Sequence, residues 1–310
     1  MTWLTPDPGE HPAKKLRELL RSDETLVVPG VFHGLSALLA RRAGAQAVYL
    51  SGAGYSASMG LPDIGLVTLD ELARNARQIV RVTRMPLIVD ADTGFGSALM
   101  VMRTVRELEG ARCAAIQIED QLDPKRCGHL DGKEVVPAEV MVEKVAAARE
   151  AAQHLVVVAR TDTRSTHGLD EAIRRGIAYR EAGADVIFPE ALETEEEFAS
   201  YAKAVPGPLL ANMTEFGKSP LLPAARLGEL GFRIVIFPVS AARIFSQLAG
   251  EFYDELLTTG TQEAWVDRMF TREQLYELIG YDDYAALDST LARSTRDIAR
   301  AGDPPGRDPA

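Results

Sequence analysis

The sequence predicts an α/β protein built as a (β/α)8 barrel, the TIM-type fold. Short apolar stretches alternate with amphipathic helical stretches over roughly 240 residues, which is the size and rhythm of that fold. Polar or charged residues follow stretch after stretch, and a barrel gathers its working residues at the carboxyl ends of many strands. An open, doubly wound sheet is the alternative, but it would concentrate such residues at one switch point. The distribution therefore favours the barrel.

The eight predicted strands are nearly continuous runs of Val, Ile and Leu. This composition is typical of strands that are buried on both faces of a parallel sheet. The strands are predicted at residues 26–31, 47–50, 86–92, 115–118, 156–162, 186–188, 208–214 and 234–237.

Four predicted helices end at a glycine that precedes the next strand, and these glycines are Gly44, Gly110, Gly183 and Gly231. Glycine adopts the left-handed conformation at little steric cost, so each glycine is expected to end its helix. Thr68 and Glu71 have the spacing of a capping box, which predicts a helix that begins at this point.

Residues 1–310 are predicted to form a single barrel domain with extra helices at the C-terminal end. The extension starts at about residue 241, with helices predicted at 241–257, 262–267, 272–280 and 283–301. It exceeds what one barrel needs, so we expect it to pack on a neighbouring subunit. The last segment, 302–310, is rich in Pro and Gly and is expected to be disordered.

Composition excludes several classes of partner. The net charge is −11, whereas a protein that binds the nucleic-acid backbone needs a basic face. The sequence has no apolar run approaching the ~20 residues of a membrane-spanning helix, and its start lacks the features of a signal peptide. Two cysteines do not make a disulfide framework, so a reducing, cytoplasmic location is expected.

One cysteine lies in a positively charged segment, the run Lys125-Arg126-Cys127-Gly128-His129. Nearby cations lower the pKa of a thiol from about 8.5, so Cys127 is expected to exchange a proton near neutral pH. The other cysteine, Cys113, has apolar neighbours and fits a buried structural cysteine.

Asp90 and Asp92 follow one of the predicted strands. Residues two apart on a strand point to the same side, so both carboxylates are expected to face one site. Such a pair suits Mg²⁺, which keeps several waters and needs few protein ligands. The next strand adds Glu119, and the alternative is that both aspartates only cap loops.

Two further features suggest an anionic substrate. The loop Ser51-Gly52-Ala53-Gly54 has small residues that let backbone N–H groups approach an anion, although a plain turn is equally consistent with it. Guanidinium groups bind carboxylates in bidentate fashion. The candidate cations are Lys125, Arg126, Arg160, Arg243 and Arg272. Arg160 ends an apolar strand and needs an anionic partner, which is either substrate or Glu190.

Together these segments resemble the isocitrate lyase/phosphoenolpyruvate mutase superfamily, over about residues 26–287. Within it, the chain most resembles the 2-methylisocitrate lyases. The cysteine run is typical of the lyase-like members, and the segment 214–217 favours this group over the carboxyphosphonoenolpyruvate phosphonomutases, which share the cysteine run. The matching segments are 49–52, 60–63, 89–96, 118–121, 125–129, 159–162, 188–191 and 212–217. The resemblance implies Mg²⁺-dependent cleavage of 2-methylisocitrate to pyruvate and succinate in the methylcitrate cycle of propionate degradation. It also implies a homotetramer, a dimer of dimers that exchange a C-terminal helix.

The resemblance assigns roles to individual residues. The expected metal ligands are Asp90 and Asp92. The expected catalytic residues are Cys127, Tyr49, Glu119 and His129. The expected substrate-binding residues are Ser51, Gly52, Ala53, Asp63, Gly128, Arg160, Glu190, Asn212, Thr214, Arg243 and Arg272. Cys127 is the expected acid that delivers the last proton, and Tyr49 is our candidate for the base that deprotonates the substrate hydroxyl.

Three alternatives remain open from the sequence. They are a carboxyphosphonoenolpyruvate phosphonomutase, a lyase for another 2-hydroxy or 2-oxo acid such as isocitrate, and a non-catalytic metabolite-binding protein. Two positions depart from the superfamily pattern: Gln117 stands where many relatives have histidine, and Ala53 stands where glycine is common. These departures bear on substrate preference, not on the class of reaction.

Overall fold

Eight parallel strands form the barrel that the sequence predicts. The structure, a computed structural model, describes residues 2–5, 9–129 and 132–301. The strands are β1 Leu26–Val31, β2 Val48–Leu50, β3 Leu87–Asp90, β4 Ala115–Glu119, β5 Val156–Thr161, β6 Val186–Pro189, β7 Leu210–Asn212 and β8 Ile234–Phe237. Their order is β6-β5-β4-β3-β2-β1-β8-β7, and a parallel bridge between Ile187 and Leu209 joins the two ends of the sheet.

Helices alternate with the strands and then continue beyond the last one. The helices up to β8 are α1 Pro12–Arg21, α2 Gly34–Arg42, α3 Gly52–Ser58, α4 Leu69–Thr83, α5 Ala98–Gly110, α6 Ala138–Ala151, α7 Arg164–His167, α8 Leu169–Glu181, α9 Glu195–Ala204 and α10 Ala224–Glu229. After β8 come α11 Ser240–Thr259, a 3₁₀ helix Glu263–Arg268, α12 Arg272–Ile279 and α13 Tyr281–Ala301.

The core has two layers because strand residues alternate between the faces of the sheet. On β5, Val156 and Val158 belong to the cluster inside the barrel, whereas Val157 and Ala159 pack against the outer helices. Helix α1, which the sequence did not predict, covers the amino ends of the strands. Its Leu16 is fully buried with the inner cluster, and Arg17 Nη1 donates to Asp185 Oδ1 at 2.8 Å.

Three of the four predicted helix-ending glycines are confirmed. Gly44, Gly183 and Gly231 have φ values of 94°, 108° and 103°. The prediction for Gly110 is wrong, because it is the last residue of α5 and Arg112, with φ 61°, makes the left-handed turn. The capping box is confirmed, since Thr68 Oγ1 accepts from the Glu71 N–H while the Glu71 carboxylate accepts from the Thr68 N–H.

The C-terminal extension begins at Ser240 and leaves much apolar surface exposed. Helix α11 has no buried residue, and Ile244 and Leu257 are 59% and 85% exposed. This surface is consistent with a subunit interface, but exchange of a helix between subunits stays a prediction. The expected disorder of 302–310 concerns residues outside the described part. No helix within that part is long and apolar enough to span a membrane.

Candidate active site

Polar side chains from six strands converge at the carboxyl end of the barrel. Asp90, Glu119 and Asn212 are the last residues of β3, β4 and β7, and Arg160 lies one residue before the end of β5. Ser51 and Glu190 directly follow β2 and β6. All of these residues except Glu119 line a small cavity of about 90 Å³. Its lining includes Tyr49, Ser51, Ala53, Asp63, Asp90, Cys127, Gly128, His129, Arg160, Glu190, Asn212, Thr214 and Arg243.

Cys127 lines this cavity from the loop that follows β4, whereas Cys113 is fully buried in the core, as predicted. The predicted lowering of the Cys127 pKa is wrong. Burial is the largest effect on this thiol and raises its pKa. Lys125, one of the cations near Cys127 in the sequence, pairs with Asp63 and Asp92. A raised pKa keeps the thiol protonated, which is the form that can deliver a proton.

Asp90 and Asp92 lie together, but not for the predicted reason. Strand β3 ends at Asp90, and Asp92 follows in a left-handed turn with φ 49°, so strand alternation does not place it. Asp90 accepts from the Gly52 N–H at 3.1 Å and from Gln117 Nε2 at 3.0 Å. A Cβ added to Gly52 would lie 3.1 Å from Asp90 Oδ2 and 3.3 Å from Asp92 Oδ1, so both carboxylates crowd the start of α3.

The carboxylates around this point fit a divalent cation. The buried or half-buried acids are Asp63, Asp90, Asp92, Glu119, Asp162 and Glu190, against the buried cations Lys125, Lys133 and Arg160. Asp92 Oδ1 and both Glu119 oxygens accept no hydrogen bond, although ion pairs reach them. Burial raises the pKa of Asp92 to about 6 and raises that of Glu119 as well. Added positive charge would therefore stabilise this group of acids.

The protein ligands for such an ion would be few. No three His, Cys, Asp or Glu side chains in the described ranges are close enough to enclose a metal. Mg²⁺ is commonly held by one or two carboxylates and keeps its remaining ligands as water or substrate oxygens.

Arg160 is held by a different partner from the one expected. Its Nε and Nη2 donate to the two oxygens of Asp162, each at 2.9 Å. Its Nη1 lies 3.2 Å from Glu119, whereas the nearest approach to Glu190 is 3.9 Å. Burial disfavours the Glu190 carboxylate, but Arg160 and a hydrogen bond from His129 outweigh burial and lower its pKa to about 2. Glu190 is therefore an anion at neutral pH.

Both ring nitrogens of His129 are occupied by protein partners. Nδ1 accepts from the Lys218 N–H at 3.0 Å, so the proton is assigned to Nε2, which donates to Glu190 Oε1 at 2.7 Å. The catalytic role expected for His129 stays a prediction; in this arrangement its ring links the Lys218 backbone to Glu190. Asn212 Nδ2 donates to the same Glu190 oxygen at 3.1 Å.

Tyr49 is in the cavity lining, but its hydroxyl is already engaged. It donates to Gln117 Oε1, and Gln117 in turn holds Asp90. Burial, reinforced by the negative charge of Asp90, raises the Tyr49 pKa well above its ordinary value. A phenol that stays protonated is a hydrogen-bond donor, so this arrangement does not support Tyr49 as the hydroxyl base, and that role stays a prediction.

The serine–glycine loop forms the start of α3. Ser51 Oγ accepts from the Gly54 N–H at 3.1 Å, which makes Ser51 the N-cap of that helix. The Gly52 N–H is used by Asp90, so it is not free to bind a substrate carboxylate here. Ser51 and Ala53 remain in contact with the cavity.

Comparison with known proteins identifies this architecture. Residues 16–257 match the family model described as phosphoenolpyruvate phosphomutase. A 2-methylisocitrate lyase from Aeropyrum pernix is 49% identical over 298 residues, covering 96% of this chain and 97% of that protein. The chain belongs to the phosphoenolpyruvate phosphomutase family. A 2-methylisocitrate lyase from Bacillus subtilis is 48% identical over 296 residues, 95% of this chain and 98% of its own.

Solved structures of related proteins share the fold over nearly the whole chain. A crystal structure of 2,3-dimethylmalate lyase, a member of the same superfamily, has a TM-score of 0.87 at 39% identity and covers 92% of this chain and 96% of its own. A phosphonopyruvate hydrolase solved with oxalate and Mg²⁺ has a TM-score of 0.82 at 31% identity, with coverages of 90% and 99%.

Of the substrate-binding residues expected at this site, Arg272 lies elsewhere. Thr214 is at the cavity, and Arg243 reaches its rim, where Nη1 donates to the Glu215 carbonyl at 2.9 Å. Arg272, in contrast, does not line the cavity. It is exposed at the first residue of α12, a helix that packs against α2 and α13, so its expected substrate contact is not formed within this chain.

Sequence reasoning missed Lys133, which is buried and contacts residues 125–129, the segment around Cys127 that is called the cysteine loop below. Its Nζ donates to the Gly128 carbonyl and lies 3.1 Å from Asp162 Oδ1. Lysine is usually exposed, and the polar sequence around position 133 carries no sign of burial. Asp162, the last residue of the predicted strand 156–162, is the direct partner of Arg160. Their spacing of two residues could have indicated this pairing, because residues two apart on a strand point to the same side.

Proposed function

We propose that the protein is a 2-methylisocitrate lyase that cleaves a carbon–carbon bond to give pyruvate and succinate. The observation that carries this proposal is one cavity lined by the Cys127 thiol, the Asp90 carboxylate and the buried Arg160. The two 2-methylisocitrate lyases at 48–49% identity over at least 95% of the chain support the same substrate.

We propose that Asp90 and Asp92 hold Mg²⁺, with Asp63 and Glu119 beside it. The unsatisfied oxygens and raised pKa values of Asp92 and Glu119 support this role. When bound, Mg²⁺ polarises the oxygen atoms at the pyruvate end of the substrate. Gln117 orients Asp90 through the 3.0 Å hydrogen bond from its Nε2 to Asp90 Oδ1. The relative solved with Mg²⁺ and oxalate is consistent with this metal.

The opposite side of the cavity suits the succinate end. Arg160 and Arg243 supply positive charge, while Asn212 at the end of β7 and Thr214 two residues beyond it supply hydrogen-bonding groups. Cys127 would deliver the final proton to the carbon that leaves, since burial keeps its thiol protonated.

Substrate entry requires movement of the cysteine loop. The cavity of about 90 Å³ is small beside the roughly 300–1,000 Å³ of typical ligand pockets, and the substrate is a seven-carbon tricarboxylate. A Cβ at Gly128 would lie 2.3 Å from Arg160 Nη2 and 2.5 Å from Glu190 Cγ, so the loop is closed tightly on the strand ends. We infer that the loop opens to admit substrate and closes for the chemistry, with Gly128 and Gly132 as hinges.

The wider context is proposed on the same basis. We infer a cytoplasmic enzyme of the methylcitrate cycle in propionate degradation, assembled as a homotetramer. The exposed apolar face of α11, with Ile244, Leu248 and Leu257, supports burial between subunits. Arg272 would then reach an active site only through that assembly.

A substrate panel tests the proposal. Pyruvate release is followed by a coupled assay with 2-methylisocitrate, isocitrate, 2,3-dimethylmalate and phosphonopyruvate, each with Mg²⁺ and with EDTA. We expect the largest kcat/KM for 2-methylisocitrate and no turnover in EDTA. A larger kcat/KM for another compound of the panel would assign that compound as the substrate instead. Unchanged turnover in EDTA would contradict the metal role of Asp90 and Asp92.

A further inference from the structure

Lys133 joins the cysteine loop to the strand end that carries Arg160, and we propose that it is the positioning residue that sets Cys127 against the site. Nζ donates to the carbonyl of Gly128, the residue after the thiol, and lies 3.1 Å from Asp162 Oδ1. Only 2% of the Lys133 side chain and none of the Asp162 side chain is exposed.

The other end of this connection is fixed. Asp162 accepts two hydrogen bonds from Arg160, and its own N–H donates to Asp120 Oδ1 at 2.8 Å. Asp120 in turn accepts from Tyr179 and Arg175 on α8, at 2.8 and 3.0 Å. Asp162 is therefore a rigid carboxylate that the barrel wall holds in place, and Lys133 links the loop to it.

The burial of Lys133 depends on the closed loop. A buried ammonium group is tolerated only where hydrogen-bond partners surround it. Gly128 supplies one of these partners only when the loop lies against the strand ends. Opening the loop breaks that charge-assisted hydrogen bond, so Lys133 favours the closed arrangement.

Lys133 acts through other residues and not on the substrate. It does not line the cavity, in contrast to Cys127, Gly128 and Arg160. Arg160 keeps its two hydrogen bonds to Asp162 when Lys133 is changed, so substrate binding should survive while thiol placement is lost. The kinetic part of this inference rests on the proposed function, whereas the placement of the loop does not.

Thiol alkylation measures the placement directly. Lys133→Met and the wild type are treated with iodoacetamide without substrate, and modification of each cysteine is followed by peptide mass spectrometry. We expect Cys127 to react about tenfold faster in the variant, the size of effect that loss of one hydrogen bond to a charged group produces. Loss of a nearby cation would slow thiolate chemistry, so a faster reaction reports exposure.

Cys113 is an internal reference for unfolding, since it is fully buried in the core. Lys144→Met is the matched variant, because Lys144 is also a buried lysine that donates to a carbonyl, that of Thr93 at 2.8 Å. It should leave the Cys127 alkylation rate unchanged. Equal rates for Lys133→Met and wild type, or joint acceleration at Cys113 and Cys127, would overturn the proposal. If Lys133→Met does not fold, Lys133→Gln is used in its place, and the same two outcomes would overturn the proposal.

Turnover supplies the second readout. With 2-methylisocitrate we expect Lys133→Met to lower kcat about tenfold and to change KM by less than about threefold. A rise in KM alone would show that Lys133 serves substrate binding, which contradicts the inference. If no substrate in the panel is turned over, the proposed function fails, and the alkylation rates still decide the role of Lys133.

Discussion

His129 Nε2 lies 2.7 Å from Glu190 Oε1, and this pair ties the loop that carries Cys127 to the end of β6. Glu190 also accepts from Asn212 and faces Arg160, so one carboxylate contacts the loop, β7 and the principal arginine. Closure of the loop and arrangement of the charged groups at the strand ends are therefore linked through this contact.

Gly217 should be intolerant of a side chain because the His129 ring packs against it. A Cβ at this position would lie 2.6 Å from His129 Nδ1 and 2.9 Å from its Cγ. Gly217→Ala should displace the ring, weaken its contact with Glu190 and lower kcat/KM about tenfold or more, with about 1–3 kcal/mol lost in the free energy of unfolding. Steady-state kinetics and denaturant unfolding measure both.

Gly250→Ala is the matched control for this change. A Cβ there meets nothing within 4 Å, and Gly250 lies inside α11. The substitution should raise stability by up to about 1 kcal/mol, as alanine does in a helix interior, and leave kcat/KM unchanged. Wild-type kinetics in Gly217→Ala would show that the His129 contact does not order the site.

Tyr49→Phe distinguishes a positioning phenol from a base. The hydroxyl donates to Gln117, so its loss leaves a buried acceptor unsatisfied and should lower kcat about tenfold. Removal of a general base would cost about 10²–10⁴-fold. Steady-state kinetics compare this variant with Tyr55→Phe. That control removes a hydroxyl that donates to the Glu71 carbonyl at 3.1 Å. A loss beyond about a thousandfold in folded Tyr49→Phe restores the base role.

The stabilisation by Mg²⁺ should grow as pH rises through about 6. Burial raises the pKa of Asp92 to about 6, from an ordinary value near 4 in the unfolded chain. The metal-free protein therefore loses stability from Asp92 as pH rises between these values, because only the unfolded state releases the proton. Mg²⁺ requires the deprotonated form, so its effect on Tm should be small at about pH 5 and larger at about pH 8.

Asp92→Asn tests the residue responsible for this pH dependence. The variant should lose most of the Mg²⁺-dependent rise in Tm at either pH, whereas Asp288→Asn, at an exposed position on α13, should behave as wild type. A Tm rise of the same size at both pH values in the wild type would mean that Asp92 does not bind the ion.

The barrel was predictable because apolar runs and the polar residues after them are local features of the sequence. For the site, the sequence predicted which residues belong to it, but not how they contact one another. Neighbours in sequence suggested a low pKa for Cys127, yet Lys125 turns away to Asp63 and Asp92, and burial dominates. The pairing of Asp90 with Asp92 depends on a left-handed turn, which strand periodicity does not indicate.

Other contacts depend on the tertiary structure alone. Lys133 and Asp162 meet only because the cysteine loop folds back on β5, and nothing in either local segment indicates the pairing. Arg272 was assigned to the site by resemblance, but it begins α12, which packs against α2 and α13, and it does not line the cavity.

The central claim is that the Cys127 thiol gives its proton to the leaving carbon of 2-methylisocitrate. Pyruvate release by Cys127→Ser, with Cys113→Ala as the control and circular dichroism to verify folding, is the most direct measurement. A serine hydroxyl is a far weaker acid, so we predict a loss of about 10²–10⁴-fold in kcat for Cys127→Ser and near-normal turnover for the control. Wild-type pyruvate release by folded Cys127→Ser would contradict the account.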